Sequence, residues 1–69
     1  MRFSTDLCIE LCKHNPKENR SEVASSVYSA MVAKGYTLAI VNGKGFQQEG
    51  SDRTYWMRRN NRVGCWEIA

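Results

Sequence analysis

Gly35 divides the chain, because the spacing of apolar residues changes there. Before it, Val23, Val27, Ala30 and Met31, with the methylene stem of Lys34, recur at three- and four-residue intervals and line one face of a helix. After it, Tyr36-Thr-Leu-Ala-Ile-Val41 is a short run of strand formers that leads into Asn42-Gly43. Asn-Gly is a strong hairpin signal, since both turn positions tolerate positive φ. Gly35 suits the left-handed residue that stops a helix. A chain patterned in this way is neither all helix nor all sheet, so helices followed by strands are expected.

The other side of that helix carries Ser25, Ser26, Ser29 and Ala33, as a solvent face would. Upstream, Phe3, Leu7 and Leu11 stand at i, i+4 and i+8 and give a first helix its buried stripe. Ser4 is the expected cap, with Asp6 in the first turn, where a carboxylate meets the positive end of the helix dipole. Phe3 and Cys8 stand at hydrophobic-staple spacing. Pro16 disfavours helical geometry at Asn15, which ends the first helix near His14. Two starts are open for the second helix. One is Asn15-Pro16-Lys17-Glu18, with Asn as cap, Pro at the first helical position and Glu at the capping-box site; the other is Ser21-Glu22, closer to the apolar periodicity.

Beyond the Asn42-Gly43 turn, Lys44 to Gln48 folds back as a second strand weakened by Gly45, or residues 42 to 52, with three glycines, form a mobile loop. Arg53 to Arg58, an Asn60-Asn61 turn and Arg62 to Ile68 follow as a hairpin. The expected architecture is α+β, with two N-terminal helices packed on one face of a three- or four-stranded antiparallel sheet that ends in a basic β-hairpin. Residues 1–69 make one small domain on this reading, with a small core.

The last hairpin carries the functional expectation. The chain has ten Lys and Arg against seven Asp and Glu, a mild +3, but Arg53 to Arg62 holds four arginines and no acid. A two-residue Asn60-Asn61 loop would set Arg59 opposite Arg62, Met57 opposite Gly64, Trp56 opposite Cys65 and Tyr55 opposite Trp66. Period two then puts Tyr55, Met57, Trp66 and Ile68 on one face and Trp56, Val63 and Cys65, with Thr54, Arg58 and Glu67, on the other. Neither face is cleanly polar, so a sheet covered on one side leaves bulky groups near solvent. Arginine suits phosphate and an indole suits an unpaired base. Arg53, Tyr55, Trp56, Arg58, Arg59, Asn60, Asn61 and Arg62 are therefore the expected binding residues, for DNA or RNA. The same side chains serve protein interfaces, so the alternative is a small adaptor or inhibitor, of the kind phages and mobile elements encode, docking on a larger protein. Pairing with a second copy of the chain is compatible with either.

Other chemistry has less support in the residues. Three cysteines, Cys8, Cys12 and Cys65, are too few and odd in number for a secreted disulfide framework, which favours reduced thiols in a cytoplasm. Cys8, Cys12, Cys65 and His14 lack paired-knuckle spacing, so no metal site and no cofactor are expected, and the cysteines read as small core residues. His14 stands in a polar turn with no carboxylate at a fixed spacing to orient it, and Gly43-Lys44-Gly45 lacks the rest of a phosphate loop, so no enzyme is expected. The N-terminus lacks signal-peptide features, and no run approaches the ~20 apolar residues of a membrane span. The order of helices before a basic hairpin resembles the plan of winged-helix DNA-binding domains. Those carry three helices against the two visible here, and the likeness assigns no residue a role.

Overall fold

A computed structural model describes residues 2–69. Two helices, α1 (Phe3–Leu11) and α2 (Arg20–Ala33), precede four strands, β1 (Leu38–Val41), β2 (Gly45–Gln48), β3 (Thr54–Asn60) and β4 (Cys65–Ile68). The strands form one antiparallel meander in the order β1-β2-β3-β4. Phe3, Leu7 and Leu11 from α1 and Val23, Val27 and Met31 from α2 meet Leu38, Phe46, Met57 and Trp66 in one core. α1 lies against β4 and α2 against β1. Both helices thus cover the same face of the sheet, and each fully buried aliphatic or aromatic side chain contributes about 1.5 to 3 kcal/mol.

The helix ends differ from the sequence expectation. α1 starts two residues earlier than a Ser4 cap allows: its N-cap is Arg2, which makes no side-chain cap. Phe3 is drawn in as the first helical residue because its ring packs on Tyr36 and Tyr55, with centroids 5.3 and 5.6 Å away. Cys8 is exposed, so no staple forms with it. The helix ends at Leu11, three residues before His14. α2 uses neither expected start. Asn19 caps it, accepting from the N–H groups of Ser21 and Glu22 at 2.9 and 3.3 Å. The capping chemistry expected at Asn15 is made, with Lys17 N–H donating to Asn15 Oδ1 at 2.8 Å and Asn15 N–H donating to Glu18 at 2.6 Å. It closes a single turn and goes no further, because Asn19 has extended backbone, with φ −65° and ψ 134°. Gly35, at φ +97°, ends α2 as expected.

Residues 45–48 are a strand, which settles the choice between strand and loop. Asn42 and Gly43 both have positive φ, 53° and 66°, and Lys44 N–H donates to the Val41 carbonyl at 2.9 Å. The space above Gly45 is filled by its neighbours. A Cβ there would stand 2.8 Å from Cε3 of Trp56 and 2.9 Å from the Tyr55 carbonyl oxygen, so the missing side chain makes room for the indole.

Asp6 and Glu10 are buried on α1 and tied to the end of α2. Tyr36 Oη donates to Asp6 at 2.5 Å, and Lys34 Nζ lies 2.9 Å from Glu10 and 3.7 Å from Asp6. The Tyr36 hydrogen bond, then Lys34, hold the Asp6 carboxyl below its ordinary range, and Lys34 with Lys13 do the same for Glu10. Depressed carboxyl pKa values stabilise the fold above the ordinary carboxylate range and lose that contribution as pH falls through the lowered values. Neutralising both carboxyls (Asp6→Asn with Glu10→Gln) should therefore flatten an acid unfolding curve followed by circular dichroism; an unchanged curve would show that these carboxyls do not set it. Among the described residues, no helix is long and apolar enough to cross a membrane.

Candidate functional site

The final hairpin differs from expectation at its turn. β3 and β4 pair Met57 with Ile68, Arg58 with Glu67, Arg59 with Trp66 and Asn60 with Cys65. The loop is therefore the four residues Asn61, Arg62, Val63 and Gly64, and the two-residue Asn60-Asn61 loop does not form. Asn60 Oδ1 accepts from the N–H groups of Arg62 and Val63 at 3.1 and 3.0 Å, and Gly64 N–H donates to the Asn60 carbonyl at 2.8 Å. Gly64 supplies the left-handed residue, at φ +92°. The signal was present in the sequence: an Asx turn closed by a glycine four residues on competes with the shorter loop. Met57 meets Ile68 in place of Gly64, four positions away. An even slip leaves the paired residues on their faces, so Tyr55, Met57, Trp66 and Ile68 stay apart from Trp56, Arg58 and Glu67; of the residues expected beside Trp56, however, Val63 lies in the loop and Cys65 is buried with its Sγ 3.0 Å from that of Cys12.

The inward face has Tyr55, Met57, Trp66 and Ile68 against the helices. Trp66 has no exposed surface. Two guanidinium carbons lie over its ring, Arg59 at 4.5 Å and Arg20 at 5.9 Å from the centroid. Arg59 also donates through Nε to the Pro16 carbonyl at 2.7 Å. Its planar cation is thus held by a ring and a carbonyl, with no carboxylate partner among the described residues. The Trp66 indole N–H is buried and has no acceptor among them.

The outward face carries Thr54, Trp56, Arg58, Asn60 and Glu67. Trp56 is 42% exposed, with its six-membered ring edge over Gly45. Arg58 donates through Nε to Glu67 at 2.7 Å, and Asn60 Nδ2 donates to the other Glu67 oxygen at 2.8 Å. Asn60 first, then Arg58, hold the Glu67 carboxyl below its ordinary range, so it is ionised at neutral pH. Arg58, Arg59, Asn60, Asn61, Arg62 and Glu67 line an open hollow of about 350 Å³. Three guanidinium groups therefore face one carboxylate. Arg62 has no ion pair among the described residues, and Val63 beside it is 65% exposed.

Of the expected binding residues, the fold brings Arg58, Arg59, Asn60, Asn61 and Arg62 around one hollow and sets Trp56 two positions along the same strand. Tyr55 and Arg53 stand apart. Tyr55 is half-buried on the helix side, and Arg53 lies over its ring at 5.0 Å. Glu67 and Gly45 are the members that sequence reasoning left out. Glu67 stands opposite Arg58 only in the longer-loop register, and Gly45 matters only because β2 pairs it with Trp56.

The cysteines and the histidine also differ from expectation. Cys8 and Cys12 are exposed and only Cys65 is buried. His14 has an orienting carboxylate after all, with Nδ1 3.0 Å from Glu18. Among the described residues, no group of three His, Cys, Asp or Glu side chains is arranged to hold a metal ion. No protein-family model, no curated protein and no solved structure matches the chain.

Proposed function

We propose that the protein is a non-enzymatic module that binds single-stranded nucleic acid on the open face of its sheet. Trp56 stacks on a base and the hollow at the hairpin tip takes the adjoining phosphates. The observation that supports this most is the placement of an exposed indole on the same face of β3 as Arg58, beside a hollow with three arginines and one carboxylate. Stacking on an indole contributes roughly 1 to 3 kcal/mol per base and demands an unpaired base. Arg62 and Asn61 reach phosphate or a base edge from the turn, whereas Arg59 supplies charge from its place over Trp66. A reducing cytoplasmic setting goes with this reading.

A fluorescence titration with oligonucleotides tests it. Quenching should come from Trp56, since Trp66 is enclosed, and a Trp56→Phe chain should lose most of the signal. Affinity for single strands should exceed that for duplex and fall with salt, with a slope of about −0.7 per phosphate neutralised. No salt-sensitive association with single or double strands at micromolar protein would end the proposal.

Val63, with most of its surface in solvent at the tip, favours a second reading in which the hairpin docks on a protein. On that reading Val63→Ser weakens partner binding and leaves oligonucleotide binding absent. β1 also pairs with β2 alone, which leaves a strand edge for a second copy; sedimentation at two concentrations would detect the dimer, and a strict monomer would exclude it.

A further inference from the structure

We infer that Cys12 and Cys65 are a dithiol built to close into an intramolecular disulfide when a low-molecular-weight disulfide oxidises the protein. Their Sγ atoms lie 3.0 Å apart across 53 positions of sequence. A disulfide bond is about 2.0 Å long, so the sulfurs need to approach by only about 1 Å. The backbone fixes this proximity. Trp66 N–H, one residue after Cys65, donates at 3.1 Å to the carbonyl of His14, two residues after Cys12. The end of α1 is thereby fastened along the outer edge of β4, and the two thiols face each other from adjoining segments.

Their environments divide the chemistry. Cys12, at the C-cap of α1, is exposed and reachable by an oxidant; Cys65 is buried beneath it. The Cys12 thiolate attacks one sulfur of the oxidant disulfide, forms a mixed disulfide and releases one thiolate. Cys65 then loses its proton to solvent and attacks Cys12 Sγ, which forms the Cys12–Cys65 bond and releases the second thiolate. Two protein thiols lose two electrons and two protons, and the oxidant's disulfide is reduced to two thiols. The Cys65 thiol is pushed up to about 11, first by its hydrogen bond with Cys12 and then by burial. Bonding Cys12 to another sulfur removes the first of these causes, so Cys65 becomes the better nucleophile once the mixed disulfide has formed. Cys8, also exposed on α1, makes no sulfur contact of the kind that joins Cys12 to Cys65 among the described residues and stands outside the pair.

The link would join the end of α1 to the first residue of β4, next to the turn that carries Asn61 and Arg62. It would therefore pin the base of the tip, whatever ligand the tip takes.

The test uses the full chain with Cys8→Ser, because Cys8 and Cys12 fall between the same two trypsin sites. Reduced protein is incubated with oxidised glutathione, quenched with acid, and read by intact mass and peptide mapping. The expected product lacks two hydrogens, carries no glutathione, and yields one peptide pair joining Cys12 to Cys65. It unfolds at a higher temperature than the reduced chain, and dithiothreitol reverses the change. In C65A the Cys12–glutathione mixed disulfide should persist at least about a hundredfold longer, since the resolving thiol is held at high effective concentration in the parent. Should C65A fail to fold, C12S at the exposed position should leave Cys65 unmodified. Glutathione that stays on Cys12 in the parent, or a product joined between two chains, would overturn the inference.

Discussion

Two tryptophans stand ten residues apart on the same ribbon and have opposite surroundings. Trp66 faces the helices with no exposed surface, with Arg59 and Arg20 over its ring; Trp56 faces away from them, 42% exposed, over Gly45. Their chemistry is the same, so strand parity and one-sided helix cover make the difference. Large apolar residues on β3 and β4 read as one ambiguous surplus until the helices choose a side. On the covered side the indole is part of the fold; on the open side it is available for a ligand.

The largest effect should come from testing that contrast directly. Trp66→Ala should destabilise the protein by about 3 to 5 kcal/mol in urea unfolding, through lost transfer energy and an unfilled cavity. For a small domain that approaches the whole net stability, so Trp66→Ala should be largely unfolded at 37 °C. Trp56→Ala should stay within about 1 kcal/mol of the parent, while losing roughly 1 to 3 kcal/mol of single-strand affinity. Equal destabilisation by the two changes would mean that the outer face is not open.

Gly45→Ala sharpens the same comparison. An added methyl would meet Trp56 Cε3 and the Tyr55 carbonyl under 3.0 Å, and overpacking of this kind costs about 1 to 3 kcal/mol. The indole can yield on its open side, but the carbonyl belongs to β3 and cannot. Chemical denaturation should show the loss together with a shifted Trp56 emission. A loss of stability with unchanged emission would place the strain in the backbone alone.

How much of this was legible beforehand follows physical lines. The stripe Phe3-Leu7-Leu11, the stop at Gly35 and the turn at Asn42-Gly43 are local patterns and form as the sequence reading has them; of the second stripe, Val23, Val27 and Met31 are buried, whereas Ala30 is only half-buried and Ala24 takes the core position instead. The division of Tyr55, Met57, Trp66 and Ile68 from Trp56, Arg58 and Glu67 also survived, because the error in the turn was even. Choices between competing local signals failed, and so did the Ser4 cap, the burial of Cys8 and Cys12 and the isolation of His14. Asn15, Asn19 and Ser21 all offer a cap, and Asn60-Asn61 and Asn60 with Gly64 both offer a turn. Packing decides these. The partner of Arg58 and the nearness of Cys12 to Cys65 are long-range facts, invisible until the register is known.

The two asparagines before α2 give a smaller, cleaner test. Both side chains accept backbone N–H bonds, but Asn19 caps a helix of 14 residues and Asn15 only one turn. Asn19→Ala should cost about 1 kcal/mol, and Asn15→Ala clearly less. Helicity by far-ultraviolet circular dichroism at rising urea should fray first in Asn19→Ala. The reverse order would put the helix start at Asn15, as one reading of the sequence has it.

The smallest expected effect carries a sign that stability arguments alone do not give. Glu67 is the one carboxylate in the tip hollow, bonded to Arg58 and Asn60 at the surface. Exposed ion pairs contribute little to folding, so Glu67→Gln should hardly move the unfolding midpoint, and glutamine keeps an acceptor for Asn60. For an anionic ligand the same change removes a repulsive charge and frees Arg58. Because water and salt screen that charge, affinity for a single strand should rise by only about two- to threefold at low salt. The gain should vanish as salt increases. A protein partner that recognises the Arg58–Glu67 pair as a unit would instead bind the Glu67→Gln chain more weakly, so the direction of this small change separates the two kinds of ligand.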